Sequence, residues 1–227
     1  MLHVIDAGTL AYRPAWDMQL EVHEQVLSGK YPRGALILLE HPPVITIGRR
    51  ADAARHLLAS PAHLNTRGVE LVETDRGGDI TFHGPGQLVA YPILPLNAYD
   101  LNLHSYLRLL EQVIIDALAQ FGIQATRDTA DPPATGVWVP FPSDHRPLTP
   151  DHLSKIAAIG IKVRRWITLH GLALNVSTDL SFFDLINPCG LSRPVTSMQR
   201  ILGDTAPKMD AVKTSLTAAF ASNLHHL

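Results

Sequence analysis

Residues Arg76 to Tyr91 read R-G-G-D-I-T-F-H-G-P-G-Q-L-V-A-Y, with four glycines and one proline among the first eleven positions. A strand-like run, Asp79 to Phe82, is followed by a Gly-Pro-Gly corner and by a second strand-like run, Gln87 to Ile93. Glycine permits backbone angles that other residues avoid, and it lets a ligand approach the main chain closely. A tight hairpin is the alternative, but it needs only one or two turn residues of this kind. We therefore predict a binding site in this segment.

The length and composition indicate a globular chain with a sizeable core. At 227 residues, 46% of them hydrophobic, the chain fits one large domain or two small ones. A formal net charge of −2 argues against a dedicated nucleic-acid binder. One cysteine cannot form a disulfide within the chain, which favours a reducing compartment. No signal-peptide pattern is evident and no apolar run reaches the roughly 18 residues of a membrane helix, so we expect a cytoplasmic protein.

The order of strand-like and helix-like runs predicts an α+β fold. Strands are also expected at Leu2 to Ile5, Ala35 to Leu39, Val44 to Ile47, Leu71 to Glu73, Gln124 to Arg127, Gly136 to Val139, Ile156 to Val163 and Trp166 to Val176. Helices are expected at Tyr12 to Leu27, Leu103 to Phe121 and Met209 to Leu224. Several strands follow each other directly, so we predict a mixed, mainly antiparallel sheet with packed helices. Turn signals predict an exposed loop at Pro140 to Pro150 and an irregular segment at Ser181 to Ser192.

Cys189 is the only thiol, and its sequence context is unusual. Most lone cysteines are small buried core residues. Here Pro188 and Gly190 flank the cysteine and Asn187 precedes them, which indicates a sharply shaped loop that exposes a side chain. A thiol becomes a good nucleophile where a nearby cation favours the thiolate. Lys155 is the candidate cation, although a lysine before an apolar strand is often a solvated edge charge.

The 12 histidines do not form a recognisable metal-binding pattern. The sequence has no H-E-x-x-H motif and no cysteine cluster, so we expect neither a metal nor another cofactor. The glycine-rich segment also lacks both common nucleotide patterns, G-x-G-x-x-G and G-x-x-x-x-G-K-[ST]. His83 and His170 lie within patterned runs, where each is a candidate for a hydrogen-bonded structural residue, and this interpretation is favoured for His170.

Taken together, the motifs resemble those of the octanoyltransferases of lipoate biosynthesis. The run from Arg76 to Pro92 is similar to the signature of that family. Other matching motifs stand in the family's order and extend over nearly the whole chain: Glu40 to Pro43 with Gly48-Arg49, Gly136 to Val139, Lys155 to Gly160, His170 to Val176 and Asn187 to Leu191. The glycine-rich motif followed by the lysine and cysteine motifs is highly specific, whereas any one of them alone is weaker.

The resemblance implies an activity, partners and a fold. Members of the family move an octanoyl group from acyl carrier protein to a lysine of a lipoate-dependent enzyme domain, the first step of endogenous protein lipoylation. The implied acceptors are the lipoyl domains of 2-oxoacid dehydrogenases and the glycine cleavage H protein, with no nucleic-acid or membrane partner. A single catalytic domain is expected over residues 1–227, with a fold similar to that of biotin and lipoate ligases.

The resemblance also implies a set of site residues. Cys189 is expected to take the acyl group as a thioester, and Lys155 is expected to activate it. The segments that match the family's substrate site are made up of Arg76, Gly77, Gly78, Asp79, Ile80, Thr81, Phe82, His83, Ala158, Ile159, Gly160, Gly171, Leu172 and Ala173.

The chemistry of acyl transfer agrees with these roles. A thioester exchanges its acyl group with a thiolate at little net free-energy change, and transfer onward to an amine is downhill, so ATP is not required. The two steps need one nucleophile and one proton shuttle, which Cys189 and Lys155 would supply. Two alternatives stay open: an ATP-dependent lipoate or biotin ligase of the same fold, which would not need Cys189, and a non-catalytic acyl- or cofactor-binding protein.

Two surface features complete the prediction. The sequence has two local basic clusters, Arg49, Arg50 and Arg55, and separately Lys162, Arg164 and Arg165. They are suited to steering acidic partners, although basic clusters are usually just solvated faces. The proline-rich run between Val139 and Lys155 is interpreted as an inert insertion in preference to a lid over the site.

Overall fold

Two β-sheets organise the computed structural model, which describes residues 2–128, 130, 134–140, 152–187 and 193–225. The strands of these residues are β1 (His3–Thr9), β2 (Ala35–Glu40), β3 (Val44–Ile47), β4 (Glu70–Glu73), β5 (Thr81–His83), β6 (Gln87–Ile93), β7 (Val137–Pro140), β8 (Leu153–Arg164) and β9 (Ile167–Asn175). The large sheet has the order β1-β2-β6-β9-β8-β7, and the small sheet has the order β4-β3-β5. The β1–β2 and β3–β4 pairs are parallel and the remaining pairs are antiparallel, which confirms the predicted mixed, mainly antiparallel α+β fold.

Helices of the described residues cover both faces of the large sheet, and one short helix packs against the small sheet. They are α1 (Tyr12–Leu27), α2 (Pro61–Thr66), α3 (Leu103–Ala119), α4 (Met198–Leu202) and α5 (Met209–His225), with short 3₁₀ helices at Ala53–His56, Leu96–Tyr99, Leu180–Leu185 and Gly203–Thr205. α3 begins at a reciprocal cap, in which the Asn102 side chain accepts from the Ser105 N–H and the Ser105 hydroxyl accepts from the Asn102 N–H. Across the described ranges, no helix combines the length and apolar character that a membrane crossing requires.

The continuous apolar run of β2 is explained by burial on both faces. Leu36 and Leu38 pack in the core cluster that includes α3 and α5, whereas Ile37 and Leu39 pack in the cluster that includes α1. Successive side chains of a strand point to opposite faces, so a strand covered on both sides reads as uninterrupted hydrophobic sequence. The large sheet is therefore the central layer of the fold.

The glycine-rich segment carries the chain from one sheet to the other. β5 pairs with β3 in the small sheet, while β6 pairs with β2 and β9 in the large one, so the two strands do not form a hairpin. At the corner, Gly86 has φ +78°, and its N–H donates to Glu40 Oε2 at 2.7 Å. A β-carbon there would lie 2.7 Å from Ser177 Oγ, so the corner accepts only glycine.

The prediction of a strand at Gln124 to Arg127 is wrong. Only Thr126 pairs with another residue, Trp138, through two backbone hydrogen bonds of 2.8 and 2.9 Å. One residue pair does not make a strand, and just beyond it the Asp128 side chain, not a neighbouring strand, accepts from the N–H groups of Ala130 and Ala134.

The remaining local predictions have mixed outcomes. Part of the predicted irregular segment, Leu180–Leu185, is a 3₁₀ helix, whereas residues 188–192 lie outside the described residues, as do residues 141–150 of the predicted exposed loop. The short helices Pro61–Thr66 and Met198–Leu202 were not predicted, because five or six residues are too few to show helical periodicity.

Candidate functional site

A cavity of about 720 Å³ lies between the two sheets. Its wall includes Lys155 and the following residues of the predicted substrate site: Arg76, Gly77, Gly78, Asp79, Ile80, Thr81, His83, Ala158, Ile159, Gly160, Gly171, Leu172 and Ala173. The start of α3 contributes Leu103 and Leu107, and β6 contributes Val89 and Tyr91. The fold thus brings three sequence motifs to one cavity, while their roles in substrate binding stay a prediction.

Phe82 differs from the other predicted substrate residues because its side chain does not line the cavity. It is 1% exposed and stacks on Phe182, with ring centroids 4.7 Å apart, in the core of the small sheet. Thr81 and His83 line the cavity, and alternation along the strand turns the side chain between them to the opposite face. Phe82 supports the site from behind.

Arg76 anchors the glycine-rich segment to the small sheet. Its Nε and Nη2 atoms donate to Thr46 Oγ1 at 3.2 and 2.9 Å, Nη2 also donates to the Thr46 carbonyl at 2.8 Å, and Nη1 donates to the Gly77 carbonyl at 3.1 Å. Arg76 is only 7% exposed, so these bonds are made in a buried environment, where they hold geometry well. Gly48 permits this packing, since a β-carbon there would lie 2.3 Å from the Gly78 carbonyl oxygen.

The carboxylate of Asp79 is engaged by neighbouring groups of the chain. Its Oδ1 accepts from the Ile80 N–H and lies 2.7 Å from His56 Nδ1, and Arg50 Nη1 lies 3.3 Å from Oδ2. Asp79 is 4% exposed, so the hydrogen bonds to Oδ1 replace water that folding removes, whereas the Arg50 contact with Oδ2 is an ion pair. His56 and Arg50 thereby fix the loop in which Asp79 stands. His56 was not predicted as a site residue, because it stands in no periodic pattern or motif of the sequence.

Two neutral histidines lie at the cavity: His83 lines its wall, and the buried His41 contacts the lining residue Tyr91. His83 Nδ1 lies 2.7 Å from Gln87 Oε1, and His41 lies 2.6 Å from the Leu10 carbonyl through Nδ1 and 2.8 Å from the Tyr91 hydroxyl through Nε2. Burial lowers the pKa of His41 to about 4 and that of His83 to about 3, so both are neutral near pH 7. His41 was not predicted as a site residue, although it stands within the matching motif Glu40 to Pro43, which was the signal that could have indicated it.

His170 lines the cavity with a strained backbone. Its φ is +59° inside β9, its N–H donates to Gln19 Oε1 at 2.7 Å, and its Nε2 lies 2.7 Å from Asp75 Oδ1. Burial lowers the His170 pKa, against the opposing effect of the Asp75 carboxylate. Burial acts to raise the pKa of Asp75, but hydrogen bonds from Lys162 and His170 bring it below its usual value. A non-glycine residue with positive φ beside a cavity is typical of functional sites.

Lys155 lies on β8 beside an irregularity of that strand. Trp138 pairs with Lys155 and Val137 pairs with Ala157, so β8 has one extra residue between these pairs. Lys155 lines the cavity together with Ala158 and Ile159 of the same strand. Its Nζ lies 4.9 Å from the Trp138 ring centroid.

Cys189 lies outside the described residues, but the chain on both sides of it is well placed. On one side, the Asn187 N–H donates to the His56 carbonyl at 2.7 Å. On the other side, Arg193 and Val195 line the cavity. Arg193 stands four positions after Cys189 in the chain. The place of the thiol itself stays a prediction from the sequence.

Solved structures share this fold. A bipartite lipoate protein ligase of Thermoplasma acidophilum aligns with a TM-score of 0.69 and 16% identity, over 99% of this chain and 85% of that one. Biotin protein ligase of Aquifex aeolicus, in complex with biotin and ATP, aligns with a TM-score of 0.56 and 12% identity, over 99% and 71%. These similarities show the fold alone, and they confirm the predicted likeness to biotin and lipoate ligase catalytic domains.

Sequence relatives are much closer. The octanoyltransferase of Gloeobacter violaceus is 44% identical over 218 residues, which cover 96% of this chain and 88% of that protein. The octanoyltransferase of Rubrobacter xylanophilus is 46% identical over 215 residues, which cover 94% and 89%. The model of the lipoyl protein ligase A/B catalytic domain matches residues 11–221. The chain therefore belongs to the lipoyl protein ligase A/B catalytic-domain family and, within it, to the octanoyltransferases.

Proposed function

We propose that this chain takes the octanoyl group from octanoyl acyl carrier protein as a thioester on Cys189 and passes it to a lysine of a lipoyl domain. Octanoyl transfer in protein lipoylation follows from the family, and the chain is an acyltransferase. The donor, the thioester intermediate and the residues that carry it are our proposal. We assign these roles to a single catalytic domain over residues 1–227 that works in the cytoplasm.

One observation carries the proposal. The Lys155 N–H donates to the Pro194 carbonyl at 2.9 Å, and the Lys155 carbonyl accepts from the Thr196 N–H at 2.9 Å. The backbone that follows Cys189 in the chain is therefore paired directly with the lysine that points into the cavity. This arrangement supports a thiol and an amine acting together on one carbonyl carbon.

The first step moves the acyl group to the enzyme. The Cys189 thiolate attacks the carbonyl carbon of the donor thioester, a new C–S bond forms, and the tetrahedral oxyanion collapses as the donor thiolate leaves. The Lys155 ammonium gives a proton to that leaving thiolate and becomes neutral. Backbone N–H groups of the glycine-rich segment, which lines the cavity, are candidates to stabilise the oxyanion.

The second step moves the acyl group to the acceptor. Neutral Lys155 takes a proton from the amine of the incoming lysine, whose nitrogen attacks the acyl carbon of the thioester. An amide bond forms, the C–S bond breaks, and Cys189 leaves as a thiolate. Apolar wall residues such as Ile159, Leu172 and Val89 are suited to the octanoyl tail, and we assign the other lining residues named above to substrate binding.

The acceptors follow from the proposed chemistry. We propose lipoyl domains of 2-oxoacid dehydrogenases and the glycine cleavage H protein as acceptors, each presenting one lysine. Lys162 is paired with Asp75, whereas Arg164 and Arg165 are exposed at the turn between β8 and β9. This exposed arginine pair is suited to steer acidic partners toward the cavity.

An intact-mass experiment tests the proposal. The protein is mixed with octanoyl acyl carrier protein without ATP or acceptor, and wild type is compared with Cys189→Ser. We expect one hydroxylamine-labile octanoyl adduct on wild type, which a lipoyl domain removes, and none on the variant. Full acceptor modification by Cys189→Ser would exclude the thioester mechanism, and a requirement for ATP would favour the ligase alternative.

A further inference from the structure

A buried ion pair lies next to the lysine of the site. Arg193 Nη1 and Nη2 donate to Asp128 Oδ1 and Oδ2 at 2.9 and 2.5 Å, a two-pronged geometry. The Asp128 side chain is fully buried and that of Arg193 is 10% exposed. The hydrogen bonds from Arg193 lower the pKa of Asp128 to about 2, so the pair is ionic at neutral pH.

The same pair holds the aromatic ring beside Lys155. The Arg193 guanidinium carbon lies 3.8 Å from the centroid of Trp138, and Lys155 Nζ lies 4.9 Å from it. Trp138 is 1% exposed, and its Nε1 donates to the Ala134 carbonyl at 3.3 Å. Asp128 also accepts from the Ala134 N–H at 2.8 Å. The Asp128 carboxylate therefore holds both residues that contact the indole, Arg193 on its face and Ala134 at its Nε1 atom.

A second connection runs through the backbone. Arg193 directly precedes Pro194, the residue whose carbonyl accepts from the Lys155 N–H. Val195 and Lys155 form a parallel bridge. The Arg193 guanidinium therefore fixes the start of the segment 193–196, which pairs with the backbone of Lys155. Trp138 contacts the ammonium end of the Lys155 side chain.

We infer that the Asp128–Arg193 ion pair is a positioning pair for Lys155 and sets where its ammonium lies in the cavity. The inference rests on the proposed function, in which Lys155 moves protons. A buried ion pair is a poor source of net stability compared with apolar packing, but its planar geometry fixes position well. Asp128 also balances the charge of Arg193, whose guanidinium shares the Trp138 ring with the Lys155 ammonium.

The test uses Arg193→Lys in two backgrounds, wild type and Lys155→Met. Lysine keeps the charge but cannot form the planar fork. The readout is the single-turnover rate of octanoyl transfer to the protein at saturating donor, followed by intact mass. We expect Arg193→Lys to slow this rate by about 10- to 100-fold in the wild-type background, as for a catalytic group displaced by about 1 Å. In the Lys155→Met background the same substitution is expected to change the residual rate by less than about threefold.

Controls separate positioning from general stability. Lys213→Met removes a different ion pair, with Asp6, whose residues are not part of the cavity wall, and it is expected to leave the rate unchanged. Trp138→Phe, which keeps a ring but weakens its contact with cations, provides a second variant if Arg193→Lys does not fold. It is expected to show the same dependence on Lys155.

The outcomes are distinct. An equal loss of rate in both backgrounds would show a structural role only, and an unchanged rate in wild type would show no role; either result overturns the inference. Formation of no adduct by wild-type protein would overturn the proposed function, and the inference with it.

Discussion

His56 Nδ1 lies 2.7 Å from Asp79 Oδ1, and the carbonyl of the same histidine accepts a hydrogen bond from the Asn187 N–H. One residue thus joins the glycine-rich segment to the segment that carries Cys189. The junction links the two segments, because neither can shift without breaking a hydrogen bond to His56.

Replacing His56 is therefore expected to affect both stability and activity. His56→Ala removes a donor from the buried Asp79 carboxylate, which costs about 1–3 kcal/mol of unfolding free energy. Urea denaturation measures this loss, and the octanoyl transfer rate is expected to fall as well. The matched control is His63→Ala, at an exposed position of α2. Equal unfolding free energies for the two variants would refute the role of the junction.

Gly136→Ala is expected to disturb Lys155 directly. Gly136 has φ +135°, and a β-carbon there would lie 2.7 Å from the Ala157 carbonyl oxygen and 2.8 Å from Lys155 Cε. The transfer rate is expected to fall by about tenfold or more, since small displacements of catalytic groups are costly. Gly122→Ala is the control, because Gly122 also has positive φ but has open space around it. A similar loss in both variants would mean that backbone strain alone is responsible.

Tyr91→Phe is expected to destabilise the protein through His41. The Tyr91 hydroxyl is 2.8 Å from His41 Nε2 in a buried environment, so its removal leaves that ring nitrogen without this partner. The expected loss is about 1–3 kcal/mol of unfolding free energy, measured by urea denaturation. Tyr99→Phe serves for comparison, because its partner, the Arg33 carbonyl, lies in a part-buried region that water can reach. A larger loss for Tyr99→Phe would contradict this account.

Stability is expected to decrease as the pH falls from about 6.5 toward 4. The folded-state pKa values of His41 and His83 lie below the usual value of 6.5, so the unfolded chain binds more protons in this range. Each histidine contributes a slope of at most about 1.4 kcal/mol per pH unit. Asp128, with its pKa lowered to about 2, adds a similar loss only below the usual aspartate value of 3.8.

Unfolding free energies between pH 7.5 and 5 measure this slope. His83→Gln is expected to reduce it, whereas His104→Gln, at an exposed position of α3, is expected to leave it unchanged. An identical slope in wild type and His83→Gln would count against a neutral, buried His83.

Charge reversal at Arg164 and Arg165 tests the steering of partners. Glutamate at both positions is expected to lower the transfer rate at limiting partner concentration and to weaken its dependence on salt, because long-range attraction is screened by ions. Lys208→Glu, another exposed cation, is the control. An unchanged salt dependence in the double variant would show that these arginines are ordinary solvated residues.

Local patterns of the sequence were sufficient for the regular elements. The predictions of a helix at Tyr12 to Leu27 and of strands at Val44 to Ile47 and Gln87 to Ile93 match the structure at both ends. Each of these elements is specified by periodicity or by an apolar run bounded by turn residues, which are properties of neighbouring positions. The motif order likewise identified the family, because a motif requires only residue types at fixed spacing.

The tertiary structure alone decided how these elements form a site. The sheet to which each strand belongs, the partner of Asp79 and the direction of Phe82 depend on residues far away in the chain. The extra residue of β8 next to Lys155 is defined only by the pairing of β8 with β7. Side-chain types and local periodicity were set by the sequence, whereas strand register and long-range contacts follow from packing, which no local pattern encodes.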